Sequence, residues 1–262
     1  MPVYNNQRFV AQAIKSIQNQ TYPHWELIII DDASEDQTPK ILTKKKKEDS
    51  RIRLFRNTTN QHIVFCRNRG IDQAQGDYVA FLDSDDRAHP QRLEKQLHFL
   101  RTHPQYGLCG SNVQLINPQG KILGIRSFPE DHDAICEAFF FYNPILQSTA
   151  MIQRAVLNKA GGFDDTYRNA EDLDMWMRLG TFCKLRNLPE ILGDYRLHQT
   201  NSIVTQQKKM IRHALRLRKK GWQKLGYPRT WKAALVYYIT YMMLYLPPKV
   251  VRALFGLIRD KK

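Results

Sequence analysis

Cysteine is scarce in this chain. Cys66, Cys109, Cys136 and Cys183 are spread over 262 residues with no C-x-x-C pair. That spacing argues against a zinc site or a disulfide framework and fits a reducing compartment. The eight histidines form neither H-x-x-x-H nor H-E-x-x-H, which argues against a zinc hydrolase. The opening Met1-Pro2-Val3-Tyr4-Asn5 lacks a basic region followed by an apolar one, so no signal peptide is read there. Long apolar runs are lacking as well. The uncharged stretch Ala233–Leu246 has fourteen residues, too few for a comfortable membrane span but enough for an interfacial segment.

Acidic residues all but disappear after position 205. Residues 206–262 hold 15 Lys/Arg against the single acid Asp260, whereas residues 1–205 hold 25 Lys/Arg against 24 Asp/Glu. The formal net charge of +15 therefore sits almost wholly in the last fifth of the chain. A basic tail on a neutral body calls for an anionic partner, either a membrane surface or nucleic acid. Hydrophobic content of 42% with 25% charged residues is ordinary for a globular protein, and the length suits one large domain or one domain with an appendage.

The body is organised around Tyr78–Asp86. Five apolar residues, Tyr78 to Leu82, suit a short strand buried on both faces of a sheet, and they run directly into Asp83, Asp85 and Asp86. Carboxylates that close repel, and burying them unpaired costs several kcal/mol or forces protonation. A divalent cation removes the conflict, since hard oxygen donors bind Mg2+ or Mn2+, usually with substrate phosphates. An acidic turn capping the next helix is the plainer alternative.

Around this stretch the pattern reads βαβαβ. A helix from about Phe9 to Gln20 precedes a strand at Trp25–Ile30 that ends in Asp31-Asp32. A helix carrying Lys44–Lys47, a strand at Arg51–Arg56 and a helix over His62–Ala74 follow. Both aspartate pairs would then lie along one sheet edge. Further helix is expected over Pro90–Thr102, strand over Tyr106–Ile116 and a hairpin turn at Asn117–Gly120. The aromatic run Phe139–Tyr142, with Pro144 and Gln147–Thr149, reads as an acceptor-facing wall or as core.

In a helix starting near Ala170, Asp172, Met175, Trp176 and Leu179 share one face, which turns Asp172 inward, while Asp174 and Arg178 would pair on the outer side. An inward acid at that position either complements the helix dipole or aims into a cleft. Arg196 and His198, alternating with Tyr195 and Leu197, would point to one side, suiting a diphosphate or a metal. A basic helix from Gln206 to about Leu225, the apolar Ala233–Leu246 and a short amphipathic piece at Val250–Ile258 form the tail. Apolar helices flanked by dense positive charge match anionic lipid headgroups, and membrane-surface contact is favoured over a helical layer on the core.

Taken in order, Pro2-Val3-Tyr4-Asn5, Asp31–Thr38, Arg67-Asn68-Arg69-Gly70-Ile71, Gly76-Asp77-Tyr78, Asp83-Ser84-Asp85-Asp86, Gly161-Gly162-Phe163-Asp164, Glu171-Asp172 and Tyr195-Arg196-Leu197-His198 make a specific set. The chain resembles the family-2 inverting nucleotide-sugar glycosyltransferases over roughly Met1 to Ser202. The resemblance implies an α/β fold of GT-A type, a Rossmann-like mixed sheet flanked by helices, over 1–205. The basic helical extension, 206–262, follows it. By the same resemblance, Pro2, Val3 and Tyr4 would flank the nucleotide base, Asp32 would hydrogen-bond it and Arg67 would sit near the nucleotide. Asp83 and Asp85 would form the D-x-D that meets the nucleotide and its Mn2+ or Mg2+, with Asp86 and His198 at or beside the metal. Asp172 matches the general base, with Glu171 and Arg196 placed for diphosphate or acceptor contacts.

One base with no partner nucleophile implies in-line displacement with inversion. Two departures stand out: only Met1 precedes Pro2 where a full apolar strand is usual, and no Gln-x-x-Arg-Trp follows Glu171-Asp172, which expects one sugar per encounter.

The expected reading is a metal-dependent glycosyltransferase, peripheral on the cytoplasmic face of the cell membrane. It would use a nucleotide-diphosphate sugar donor and a glycan or lipid-linked acceptor. An inactive nucleotide-sugar-binding or scaffold protein of the same fold is the alternative. A metal-dependent nuclease ranks low, because the basic segment is interleaved with a long uncharged stretch rather than spaced stacking aromatics.

Overall fold

The computed structural model describes residues 1–198 and 207–245, so the expected amphipathic piece at Val250–Ile258 lies outside the described residues. Two sheets form the body. The first is three-stranded and parallel, in the order β1 (Pro2–Val3), β2 (Leu27–Asp31) and β3 (Ile52–Arg56). It is covered by α1 (Val10–Gln18), whose Val10, Ala13, Ile14 and Ile17 recur at helical spacing and are buried together. The helix α2 (Thr38–Glu48) keeps Lys44, Lys46 and Lys47 in solvent, and α3 (His62–Asp72) packs on β2.

The second sheet runs β4 (Tyr78–Ala80), β8 (Met151–Gln153), β6 (Tyr106–Ile116), β9 (Lys184–Arg196) and β5 (Arg87–Ala88), with β7 (Ile122–Arg126) paired to β6. It is mixed: β6 and β9 are parallel, while β4 with β8 and β5 with β9 are antiparallel. The α4 helix (Arg92–Thr102) buries Leu93, Leu97 and Leu100 against it. Three further helices follow in the body: α5 (His132–Ala138), α6 (Arg154–Ala160) and α7 (Glu171–Leu179). Gly161 closes α6 in the left-handed region at φ 79°, which favours glycine. All four cysteines are free.

Two sequence expectations change here. The run Tyr78–Leu82 is a strand only to Ala80, and it is not buried on both faces: Tyr78 and Val79 are half-buried and Ala80 is exposed. Its one strand partner among the described residues is β8, so β4 is a sheet edge; Asp31-Asp32 ends β2 of the first sheet, while Asp85-Asp86 lies in the loop between β4 and β5 of the second. Between those sheets lies a cleft of about 320 Å³, lined by Leu27 and Ile28 on one side and Tyr78, Val79 and Phe81 on the other. The Met1 ammonium donates to Ile28 O at 2.9 Å beside this cleft, and burial lowers its pKa to about 5.

The second change concerns α7. Asp174 does not face solvent. It is fully buried, because a C-terminal helix, α8 (Gln207–Lys224), covers that side and brings Lys220 onto it. Leu217 of α8 and Ala233 of α9 (Trp231–Met242) join the same apolar cluster as Trp176, Met175, Phe139, Leu108 and Ile152. Described parts of the basic extension are thus packed into the main core. No described helix is long and apolar enough to cross a membrane.

Candidate active site

Strand pairing explains why residues far apart in sequence meet at the acidic loop. Arg87 pairs with Asp194 across the antiparallel β5–β9 ladder, and continuing that register brings Asp86 opposite Tyr195 and Asp85 opposite Arg196. Arg196 is fully buried. Its backbone N donates to Asp86 Oδ1 at 2.8 Å and its Nε to Asp85 O at 2.7 Å. The rest of the guanidinium donates to Asn117 O, Pro118 O and Gln12 Oε1 and lies over the Phe9 ring. Arg196 therefore holds the acidic loop to the β6–β7 hairpin and to α1.

His198 follows two residues on, and its Nε2 meets Asp85 Oδ2 at 2.7 Å. Asp86 lies behind this pair, 1% exposed, with Oδ2 accepting from the Ser148 hydroxyl. Burial, with Asp85 and Asp83 adding like charge, pushes its carboxyl well above the usual range. The same Ser148 oxygen accepts from Asp83 N at 3.1 Å, and Asn6 donates to Ser84 at 2.8 Å, tying the first loop to the acidic one.

Arg67 joins this loop to α7. It is 5% exposed and donates to Asp83 Oδ1 at 3.0 Å and to Glu171 Oε1 at 2.6 Å. Burial works against its charge, but Asp83, Glu171 and Asp172 outweigh it and raise the guanidinium pKa. Asp172 is half-buried, while Glu171 and residues 173–177 are buried. Burial among its neighbours, reinforced by Glu171, pushes its carboxyl up to about 6, while Arg67 and the Leu173 N–H act the other way. Asp83 of the acidic loop adds a smaller upward push on the Asp172 carboxyl.

The expected nucleotide side is less open. Val3 is buried, Pro2 half-buried and Tyr4 48% exposed, so a ring is presented at the end of β1. Asn5 and Ala33, just beyond β1 and β2, lie at φ 46° and φ 62°, a region few non-glycine residues adopt. Asp32 is 3% exposed and already accepts from Asn57, Gln61 N and His62 N.

Among the described residues there is no group of three or more His, Cys, Asp or Glu arranged to hold a metal by themselves. The donor set still fits a cation shared with a ligand. Mg2+ and Mn2+ typically take one or two protein carboxylates and complete their shell from phosphates and water. Asp85 and His198 lie side by side, and the like-charge strain on Asp86 is the kind a cation relieves. Asp85 and His198 would hold it, with Asp83 alongside and Asp86 supporting the loop from behind.

Asn6 and Asn143 were not legible as site residues, and Ser148, expected only in an acceptor-facing wall or the core, was not legible as a partner of the acids. Asn143 Nδ2 donates to Asp172 Oδ2 at 2.7 Å. Asn6 and Asn143 lie in loops and Ser148 in a short 3-10 turn, Gln147–Thr149, and only long-range packing brings them to the acids.

The known proteins this chain is similar to are glycosyltransferases. The model of glycosyl transferase family 2 matches residues 1–145, and that of glycosyl transferase family group 2 matches residues 78–257. An uncharacterized glycosyltransferase of Haemophilus influenzae is 36% identical over 212 residues, covering 76% of this chain and 65% of that protein. The O-antigen biosynthesis glycosyltransferase WbnJ of Escherichia coli is 30% identical over 206 residues, covering 77% and 80%. The chain spans about half to two thirds of the length of the first curated relatives it matches. Among solved structures, S. aureus TarS 1-349 in complex with UDP-GlcNAc superposes with a TM-score of 0.68 at 19% identity, over 84% of this chain and 64% of that one. The mannosyltransferase PcManGT from Pyrobaculum calidifontis, in complex with GDP-Man and Mn2+, superposes at 0.64 with 16% identity, over 93% and 67%. The fold is of GT-A type, and the chain belongs to glycosyl transferase family 2.

Proposed function

We propose that the protein transfers one sugar per encounter, with inversion, from a nucleotide-diphosphate donor to a hydroxyl of a cell-envelope or lipid-linked glycan. One observation carries this reading: Arg67 ties Asp83 of the acidic loop to Glu171, next to Asp172. A carboxylate suited to take a proton near neutral pH is thereby held beside the carboxylates suited to a diphosphate's cation. The acceptor oxygen attacks the anomeric carbon and its proton passes to Asp172. The bond from that carbon to the diphosphate breaks, and the electron pair leaves with the phosphate oxygen.

A bound Mn2+ or Mg2+ would neutralise charge on the departing diphosphate. Asp85 and His198 are the residues for it, and Tyr4, Asp32 and Arg67 are assigned to the nucleotide side. PcManGT, with GDP-Man and Mn2+, and WbnJ, named for O-antigen biosynthesis, support the donor class and the acceptor class.

The exposed apolar side chains of α9, together with Lys219, Lys224, Arg229 and Lys232, which are also in solvent, support work at an anionic membrane surface, on its cytoplasmic face. The alternative is a nucleotide-sugar-binding or scaffold protein of the same fold without turnover.

A panel of nucleotide sugars with Mn2+ or Mg2+, read as nucleoside diphosphate released with and without glycan acceptors, separates the two. Turnover that disappears in Asp172→Asn is the expected result. Tight nucleotide binding with no turnover on any donor would select the alternative, and turnover retained in Asp172→Asn would overturn the base assignment.

A further inference from the structure

The contact between Asn143 and Asp172 has a fixed polarity. The Ile145 backbone N can only donate, and it does so to Asn143 Oδ1 at 3.3 Å. The amide must therefore present its NH2 in the other direction, where Nδ2 meets Asp172 Oδ2 at 2.7 Å. The second carboxylate oxygen, Oδ1, accepts from Leu173 N at 2.8 Å. Both oxygens of Asp172 are thus held, one by its own helix and one by a loop from elsewhere in the chain.

That loop is not free to drift. Trp176, fully buried in α7, donates through Nε1 to Ile145 O at 3.2 Å. Phe140 is buried and stacks on Trp222 of α8 with centroids 5.3 Å apart and planes 1° from parallel. Arg218 of α8 donates to Phe141 O at 3.2 Å. Packing from α7 and α8 therefore presses the amide onto the carboxylate.

We propose that Asn143 is a positioning residue for the base: its amide holds the Asp172 carboxylate ionised and in one rotamer, ready to take a proton from an acceptor hydroxyl bound beside the 139–143 loop. This rests on the reading of Asp172 as base. The other charged groups acting on Asp172 are Glu171 on its own helix, Arg67 from α3 and Asp83 from the acidic loop. Glu171 and Asp83 oppose ionisation and Arg67 favours it. The Asn143 amide favours the charged form without adding charge of its own. Burial already pushes this carboxyl up to about 6, so losing a donor moves its titration into the neutral range.

The test is a carboxyl-carbon NMR titration of Asp172 in the full chain, for the wild type, Asn143→Ala and Asn143→Asp, alongside the pH dependence of kcat/KM for sugar transfer. Asn143→Ala is expected to raise the titration midpoint by about one pH unit. Asn143→Asp should raise it further, because the donor becomes a second like charge. The acidic limb of kcat/KM should move by the same amount, with binding of UDP or GDP in the presence of Mn2+ unchanged. A midpoint that stays put in both variants overturns the proposal. So does a uniform fall in kcat/KM at every pH, the mark of a purely structural role. A midpoint that rises while the acidic limb of transfer stays fixed shows instead that Asp172 is not the base, and the role of Asn143 falls with it. If Asn143→Ala does not fold, Asn143→Ser carries the same comparison.

Discussion

The Arg67 guanidinium lies 2.6 Å from Glu171, a residue 104 positions later in the chain, and both side chains are almost wholly buried. Taking either ion out of water costs several kcal/mol, which only the partner and the other acids nearby repay. Arg67→Met strands the Glu171 charge and should destabilise the fold by about 3–5 kcal/mol. Arg67→Met with Glu171→Met should recover most of that while leaving transfer lost. Denaturant unfolding of the single and double variants checks both. A single variant within about 1 kcal/mol of wild type would show the pair is no joint.

Asp172→Asn is expected to cost about 10²–10⁴-fold in transfer, the usual contribution of a general base. Its effect on stability has the opposite sign. A carboxyl whose folded pKa is raised to about 6 stabilises least once ionised. Its share is present below the unfolded value near 4 and is lost as pH rises through 6. The asparagine escapes that loss, so the variant should gain on wild type between pH 4 and pH 7, by roughly 1–2 kcal/mol given partial solvent access. Unfolding midpoints at pH 4.5 and pH 8 measure the gap, and a gap that narrows as pH rises would contradict the environment described for Asp172.

Metal dependence is tested by removal. EDTA should lower transfer to background and Mn2+ should restore it. Asp85→Asn should raise the Mn2+ concentration needed for half-maximal rate. Equal Mn2+ requirements in wild type and Asp85→Asn would remove Asp85 from the cation.

On the far side of α7, Asp174 is fully buried and binds both Arg178 and Lys220. Asp174→Ala leaves two partly buried cations without their acid and should cost about 3–5 kcal/mol, while Lys220→Met, which leaves the Arg178 pair intact, should cost about 1–2 kcal/mol. Thermal unfolding checks that order. A neutral Lys220→Met would show that α8 is held by its apolar side chains alone.

Trp231, Leu235, Tyr238, Ile239 and Met242 lie along α9 at helical spacing, each more than half exposed. Sedimentation with phosphatidylglycerol vesicles should bring the protein down at low salt and release it as salt rises. Leu235→Glu with Ile239→Glu should weaken binding at least tenfold without changing the melting temperature, because neither side chain is buried. Equal binding to phosphatidylcholine vesicles would argue against an anionic surface.

The acidic loop, the Glu171-Asp172 step and the helices other than α5 and α6 were legible because each is local. Apolar spacing in Val10–Ile17 and the run of acids after Leu82 need no distant partner to be read. The side of α7 that Asp174 faces was not legible, since Asp174 and Arg178 read equally well as a surface pair until α8 is laid over them. Nor was the edge position of Tyr78–Ala80: apolar content alone does not say how many neighbours a strand has.

By itself the sequence determined which chemistry is present: acids suited to a diphosphate and its cation, one further acid at a helix start, and a tail of one charge sign. Only the tertiary structure decided what those groups do to one another. Arg67 reaches Glu171, Asn143 reaches Asp172 and Lys220 reaches Asp174 through contacts between elements remote in the chain. Such contacts set burial and charge environment, and those in turn set which carboxylate can take a proton near neutral pH.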